Sequence, residues 1–228
     1  MNYRRILVFG AHPDDEMTMA ATMRKLSDQG VEVHVCISTD GCEGYPHPEW
    51  KDSIVQMRIK EQAEADRVMG VTRRHHIGAP DMGLENNKET FLKFIKVIRE
   101  VRPDAAFTHG PYDRHRDHLR TGEISLEALW QAGQPVSASL GEPWATPHVY
   151  YYKGVFGAPP HIRLDCRGYG HIGLLARATQ ESQMVLFGRT RKEMEAEAER
   201  IREANPPHTE GFWLTDRMTL GDFPQVAH

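Results

Sequence analysis

The chain has 228 residues, 39% of them hydrophobic and 26% charged, with a net charge of −4 and a pI near 6.3. This composition excludes a disordered or fibrous chain, and the mild acidity gives no basic field for nucleic acid or an anionic membrane surface. No apolar run approaches the roughly 18–20 residues that cross a bilayer.

Residues 4–9 read as a short apolar strand. The start, MNYRRILVFG, has too brief an apolar run and no small-residue cleavage site, so a strand is expected there and not a signal peptide. A helix is expected over 15–29, with Met17, Ala20, Ala21, Met23 and Leu26 among its apolar positions and Gly30 closing it. VEVHVCIS at 31–38 is the second strand. Residues 39–52, TDGCEGYPHPEWKD, form a turn-rich loop long enough to suggest function. An amphipathic helix over 53–69 ends at Gly70, and a third strand over 73–77 leads into the loop GAPDMGLENN. A helix over 88–101, a fourth strand over 104–108 and the loop HGPYDRHRDH follow, then a helix to about residue 131. This alternation predicts an α/β fold, Rossmann-like, with a mostly parallel sheet and helices on both faces. The second half is less regular. Strands are expected over 147–153 and 161–166 and a helix over 173–187. A very polar helix over 189–204 suits solvent or one narrow packing stripe. No repeat or linker interrupts the chain, so one domain over 1–228 is expected. The three cysteines, Cys36, Cys42 and Cys166, form no CxxC pair, which suits a reducing cytoplasm.

The stretch VFGAHPDDE at 8–16 poses the chemical question. Asp14, Asp15 and Glu16 repel one another, and a solvated turn needs only one of them; a metal ion would account for them. In open α/β sheets ligands bind beyond the carboxyl ends of the strands. The loop after the first strand supplies His12, Asp14 and Asp15. The loop after the fourth supplies His109, Asp113, His115, Asp117 and His118. Imidazole with carboxylate suits zinc or iron(II), and three protein ligands with an open fourth position is the catalytic zinc pattern. His12, Asp15 and His118 make such a set, with His115 beside it and Asp14 left uncoordinated. Separately, each cluster has a plain explanation, helix-start carboxylates favoured by the dipole or surface histidines. Jointly, chance must place both at one sheet edge. A dinucleotide fingerprint fails, because only Gly10 is present and Pro13 sits where backbone amides would approach a pyrophosphate.

AHPDDE with DRHRDH resembles the zinc-dependent N-acetylglucosaminyl deacetylase family, often named after its phosphatidylinositol-glycan and lincomycin-cluster members. TDG at 39–41, RIKEQAEADRVMGV at 58–71, APDMGL at 79–84, RPDAAFTH at 102–109 and ESQ at 181–183 look like further family blocks. Arg116 stands where the family more often has proline. The resemblance implies zinc on His12, Asp15 and His118, and Asp14 as general base toward water. It implies His115 as the cationic group facing the developing oxyanion, held by Asp117. Arg58 and Arg114 resemble positions that contact anionic substrate groups in some members; alternatively Arg58 pairs with Glu61 or Glu64 along its helix. Tyr45, with His47 and Trp50, gives this chain its own loop and is expected to contact substrate. The expected substrate is a small N-acetylated amino sugar, such as an N-acetylglucosamine–malate conjugate. Neither nucleic acid nor membrane is expected as partner, and a homo-oligomer is left open. Rival readings are an amidase on a larger amide such as a thiol conjugate, a sugar-binding module without turnover, and a two-metal phosphoesterase, for which ligands are too few.

Overall fold

The segment RILVFG forms β1 (Arg5–Gly10) at the centre of a sheet, because both its faces are apolar. Ile6 and Val8 pack into one core layer, and Leu7 and Phe9 into the other. A computed structural model describes residues 3–215 of the chain. The expected single domain over 1–228 therefore extends at both ends outside the described residues. Around β1 lie β2 (Glu32–Thr39), β3 (Arg73–Ala79), β4 (Ala105–His109) and β5 (His148–Lys153), all paired in parallel. Near-continuous burial along β1, β2 and β4 is what a parallel sheet covered on both faces demands.

One face is covered by α1 (Ala20–Asp28), α2 (Ile54–Met69) and α5 (Ile172–Ala178), through Met23, Ala65, Met69, Ile172 and Ala176. The other is covered by α3 (Lys88–Val101) and α4 (Arg116–Ala132), through Phe94, Ile95, Ile98, Ile124 and Ala128. The expected α/β architecture is therefore present. Gly70 ends α2 in the left-handed conformation, φ 73°, as its position after the apolar stripe predicts.

Three elements differ from the sequence reading. The helix expected from residue 15 opens as a 3-10 turn, Asp15–Met19, before α1 begins. The helix expected over 173–187 is broken into α5, a 3-10 turn at Glu181–Gln183 and α6 (Met184–Phe187). The cause is a competing set of hydrogen bonds. The Glu61 carboxylate on α2 accepts from Ser182 N at 2.6 Å and from Ser182 Oγ at 2.7 Å, and Thr179 Oγ1 donates to Ala176 O at 2.8 Å. The third difference is β7 (Thr209–Leu214), which no periodicity announced. It runs antiparallel between β5 and β6 (Ile162–Asp165), giving the order β3-β2-β1-β4-β5-β7-β6. The polar helix α7 (Arg191–Ala204) opens with a Thr190/Glu193 capping box and buries only Met194 and Ala198, the narrow stripe of the two alternatives. No helix among the described residues is long and apolar enough to cross a membrane.

Candidate metal centre

The turn after β1 is tight: the backbone N–H groups of Asp14 and Asp15 both donate to His12 O, at 2.8 and 3.3 Å. It sends the three adjacent carboxylates in three directions, each to its own cation. Asp15 turns inward, 5% exposed. Its Oδ2 accepts from Ala11 N (3.1 Å) and His12 N (2.8 Å), and its Oδ1 from Lys153 Nζ (2.7 Å) at the end of β5. Asp14 stays partly exposed, with Oδ2 3.0 Å from Nη2 of the buried Arg58. Glu16 is fully buried and accepts from Arg74 Nη2 at 2.7 Å. Part of the charge conflict legible in the sequence is thus met by arginines on α2 and β3.

What Asp15 faces is a cluster of histidines. His12 Nδ1 lies 3.2 Å from His118 Nε2 and 3.4 Å from Asp15 Oδ2, and His118 Nε2 lies 3.2 Å from Asp15 Oδ1. The ring of His115 stands edge-on to His12 at 4.4 Å between centroids and 4.9 Å from His118. Each of the two converging histidines holds a carboxylate on its far nitrogen. His118 Nδ1 meets Asp113 Oδ2 at 2.9 Å, and His12 Nε2 meets Asp81 Oδ1 at 3.1 Å and Asp117 Oδ2 at 3.3 Å. His109, wholly buried, sits behind Asp15, its Nε2 accepting from Ala11 N at 3.2 Å and facing Tyr152 Oη at 3.1 Å.

The electrostatics follow from this geometry. Burial alone would raise the Asp15 carboxyl, but His109, His118 and His12 override it and hold it well below the usual carboxylate range. Burial would lower His12; its bonds to Asp15 and Asp81 override that and push it up to about 10. His115 goes the other way, lowered by burial and by the charge of its histidine neighbours.

Among the described residues, three overlapping groups could hold a metal ion: His12 with His115 and His118; His12 with Asp81, His115 and Asp117; and His109 with Asp113 and His118. The donor set fits a borderline divalent ion, nitrogen and carboxylate oxygen without thiolate. Beyond the donors, Asp117 Oδ1 is buried with no hydrogen-bond partner among the described residues, and the carboxylates of Asp15, Asp81, Asp113 and Asp117 outnumber Lys153 and the protonated His12, so the site favours added positive charge.

The structure brings His12, Asp14, Asp15, His115, Asp117 and His118 together at one sheet edge. Asp117 departs from the expected role. Its carboxylate is bonded to Met82 N (2.7 Å) and approaches His12, and its link to His115 is through its own backbone N–H, 3.3 Å from His115 Nδ1. The helix-start geometry explains this, since His115 is the N-terminal cap of α4. Arg58 pairs with Asp14 rather than with Glu61, whose carboxylate is taken by Ser182, or with Glu64. It is cradled by Gly41 and Gly44, where an added Cβ would lie 2.8 and 2.6 Å from Arg58 Nη1. Arg114 is exposed and Tyr45 half-buried, and no described hydrogen bond or ion pair joins either to the cluster. Sequence reasoning missed Asp81 and Lys153. Both stand at carboxyl ends of parallel strands, which was the available signal. A cavity of about 680 Å³ lined by Arg163, Arg177 and Glu197 holds none of the cluster.

The model of the family described as GlcNAc-PI de-N-acetylase matches residues 7–129, which include every residue of this cluster except Lys153. A 1D-myo-inositol 2-acetamido-2-deoxy-alpha-D-glucopyranoside deacetylase of Streptomyces scabiei is 30% identical over 65% of this chain; the match spans 55% of that protein's length. Among solved structures, the N,N'-diacetylchitobiose deacetylase of Pyrococcus horikoshii superposes with a TM-score of 0.81 at 24% identity, covering 99% of this chain and 88% of the other. The 4-carboxy-2-hydroxymuconate hydratase of Pseudomonas putida KT2440 superposes with a TM-score of 0.75 at 20% identity, covering 99% and 98%. Both likenesses concern the fold.

Proposed function

Because the chain belongs to the GlcNAc-PI de-N-acetylase family, we propose that it hydrolyses the N-acetyl amide of a small molecule containing N-acetylglucosamine, with His12, Asp15 and His118 holding a zinc ion. Iron(II) suits the same donors. The observation that carries the reading is the convergence of His12 Nδ1, His118 Nε2 and the Asp15 carboxylate within 3.2–3.4 Å, with Asp14 adjacent but turned away to Arg58. The name of the Streptomyces scabiei relative supports the amino-sugar class. When bound, zinc lowers the pKa of water toward ~7 and polarises the acetyl carbonyl.

The chain's own groups do the rest. Asp14 accepts the proton of the attacking water, held for that task by Arg58. His115 lies beside the histidine ligands, where its imidazole can donate to the oxygen that gains charge as the carbonyl becomes tetrahedral. The C–N bond then breaks, and the amine leaves with a proton returned by Asp14 or by His115, releasing acetate and the free amino sugar. The loop over 39–52 stands at the same edge, tied to the segment after α5 by Gln183 Nε2 donating to Gly44 O at 2.8 Å. Its position at that edge supports a role in covering the substituent on the sugar.

A panel of N-acetylglucosaminides assayed for free amine and acetate, alongside elemental analysis, tests the proposal. The expected result is about one zinc or iron per chain and amine release that a strong chelator abolishes. Amine release from none of the panel would overturn the deacetylase reading, since one fold hosts unrelated reactions.

A further inference from the structure

We infer that Asp81 and Asp113 are positioning residues for the metal centre, one carboxylate for each histidine ligand; the inference rests on the metal reading above. The two bonds share one design. His118 points Nε2 at Asp15 and Nδ1 at Asp113 Oδ2, 2.9 Å away. His12 points Nδ1 at Asp15 and Nε2 at Asp81 Oδ1, 3.1 Å away. In each ring the nitrogen away from the centre meets a carboxylate, which can only accept. In the neutral ring that a metal requires, that bond fixes the tautomer, turns the inner nitrogen's lone pair toward the ion and increases its basicity.

The backbone is shaped to deliver these groups. Asp81 follows β3, and its backbone N–H donates to Asp40 Oδ1 at 3.2 Å. The next residue, Met82, takes φ 60°, a left-handed conformation unusual for a side chain of that size. Its N–H donates to Asp117 Oδ2 at 2.7 Å. The loops after β2 and β3 and the first turn of α4 are thereby locked together around a carboxylate side chain only 8% exposed, aimed at His12. Asp113 is fixed in the same way, its other oxygen accepting from His115 N at 2.9 Å. Asp117 Oδ2 also approaches His12 Nε2, at 3.3 Å. It already takes the Met82 N–H, so its principal task is to hold the turn that carries Asp81.

A purely steric role for either carboxylate predicts no effect of Asp→Asn, which keeps shape and an acceptor oxygen but removes charge. The experiment is zinc titration of the full chain against a chromophoric chelator, for wild type, Asp81→Asn, Asp113→Asn, Asp117→Asn and His118→Ala. Each of Asp81→Asn and Asp113→Asn should weaken zinc binding about 10–100-fold, with Asp117→Asn weaker in effect. Long-range proton–nitrogen NMR of the zinc form gives a second reading that folding stability does not move. The His12 Nε2–H and His118 Nδ1–H signals should be strongly downfield in wild type, and each should move upfield in its own variant only. Zinc affinity within twofold of wild type in both variants, or an unmoved imidazole signal, would overturn the inference. Retained binding in His118→Ala would instead overturn the metal centre, and this inference with it.

Discussion

Asp14 and Asp15 are neighbours of identical chemistry, and the structure gives them opposite environments, so a paired substitution is the sharpest test of the site. Asp14 makes one ion pair, at 3.0 Å, and its side chain is 28% exposed. Asp14→Asn keeps size and an acceptor oxygen but leaves the buried Arg58 guanidinium without its anion, so the folded state should lose more than the ~1 kcal/mol of an exposed pair and less than the ~3–5 kcal/mol of a fully buried one. The proton acceptor is gone, however, and general base catalysis is worth about 10²–10⁴-fold in rate. Asp15 is different: it accepts from two backbone N–H groups and Lys153, and it faces His12 and His118. Asp15→Ala strands buried donors at about 1–3 kcal/mol each and breaks a buried charge cluster at about 3–5 kcal/mol. It should shed the metal and also unfold at lower urea, whereas Asp15→Asn should shed metal with a smaller loss of stability. The assay is metal content, amine release and urea midpoint on the same preparations. Near-normal turnover by Asp14→Asn would remove Asp14 as the base. Metal loss by Asp14→Asn would refute the division of roles in this turn.

Three further outcomes are expected. Gly44→Ala places a Cβ 2.6 Å from Arg58 Nη1; displacing that guanidinium from Asp14 should cut turnover roughly 10–100-fold with metal content unchanged, checked by the same amine assay. Lys153→Met removes a cation 2.7 Å from Asp15 Oδ1 and should tighten zinc binding about fivefold after solvent screening; weaker binding in the titration would contradict this. His75 is bonded to His34 at 3.2 Å, and burial pushes it down to about 4. As pH falls below about 6.5 the unfolded chain takes up this proton and the folded chain does not. Stability should therefore drop between about pH 6.5 and about 4, by ~3 kcal/mol at most. His75→Gln should flatten that part of the acid loss in urea midpoints measured at about pH 7 and about pH 4.5.

How much of this was legible beforehand depends on whether the deciding force was local. β1 to β4 and the helices between them announce themselves because the apolar period and Gly70 act within a few residues of the elements they shape. α3 appears over the expected residues for that reason. The break between α5 and α6 was not legible. Glu61, 121 residues away in sequence, decides it by taking both the N–H and the hydroxyl of Ser182. β7 was hidden similarly, since TEGFWL is a strand only because β5 and β6 supply its edges. At the site, the dense His/Asp runs were visible, while Asp81, inside APDMGL, and Lys153 were single ionisable residues marked only by their place at strand ends.

The carboxylate triplet shows where local reading and structure part most clearly. Side by side in sequence, Asp14, Asp15 and Glu16 ask for one shared cation. In the fold, Arg58 answers Asp14, Arg74 answers Glu16 and Lys153 answers one oxygen of Asp15, so the triplet by itself no longer asks for an ion. What calls for an ion is not the triplet but the set of groups around Asp15. Two histidines present inner nitrogens to it, and each is backed by a carboxylate from a different loop. Without a metal, Lys153 and the His12 imidazolium together offset only part of the charge of Asp15, Asp81, Asp113 and Asp117. A divalent ion between His12, Asp15 and His118 would supply the missing charge where the donors already converge. The acidity around the centre then reads as preparation for a cation rather than as accumulated strain.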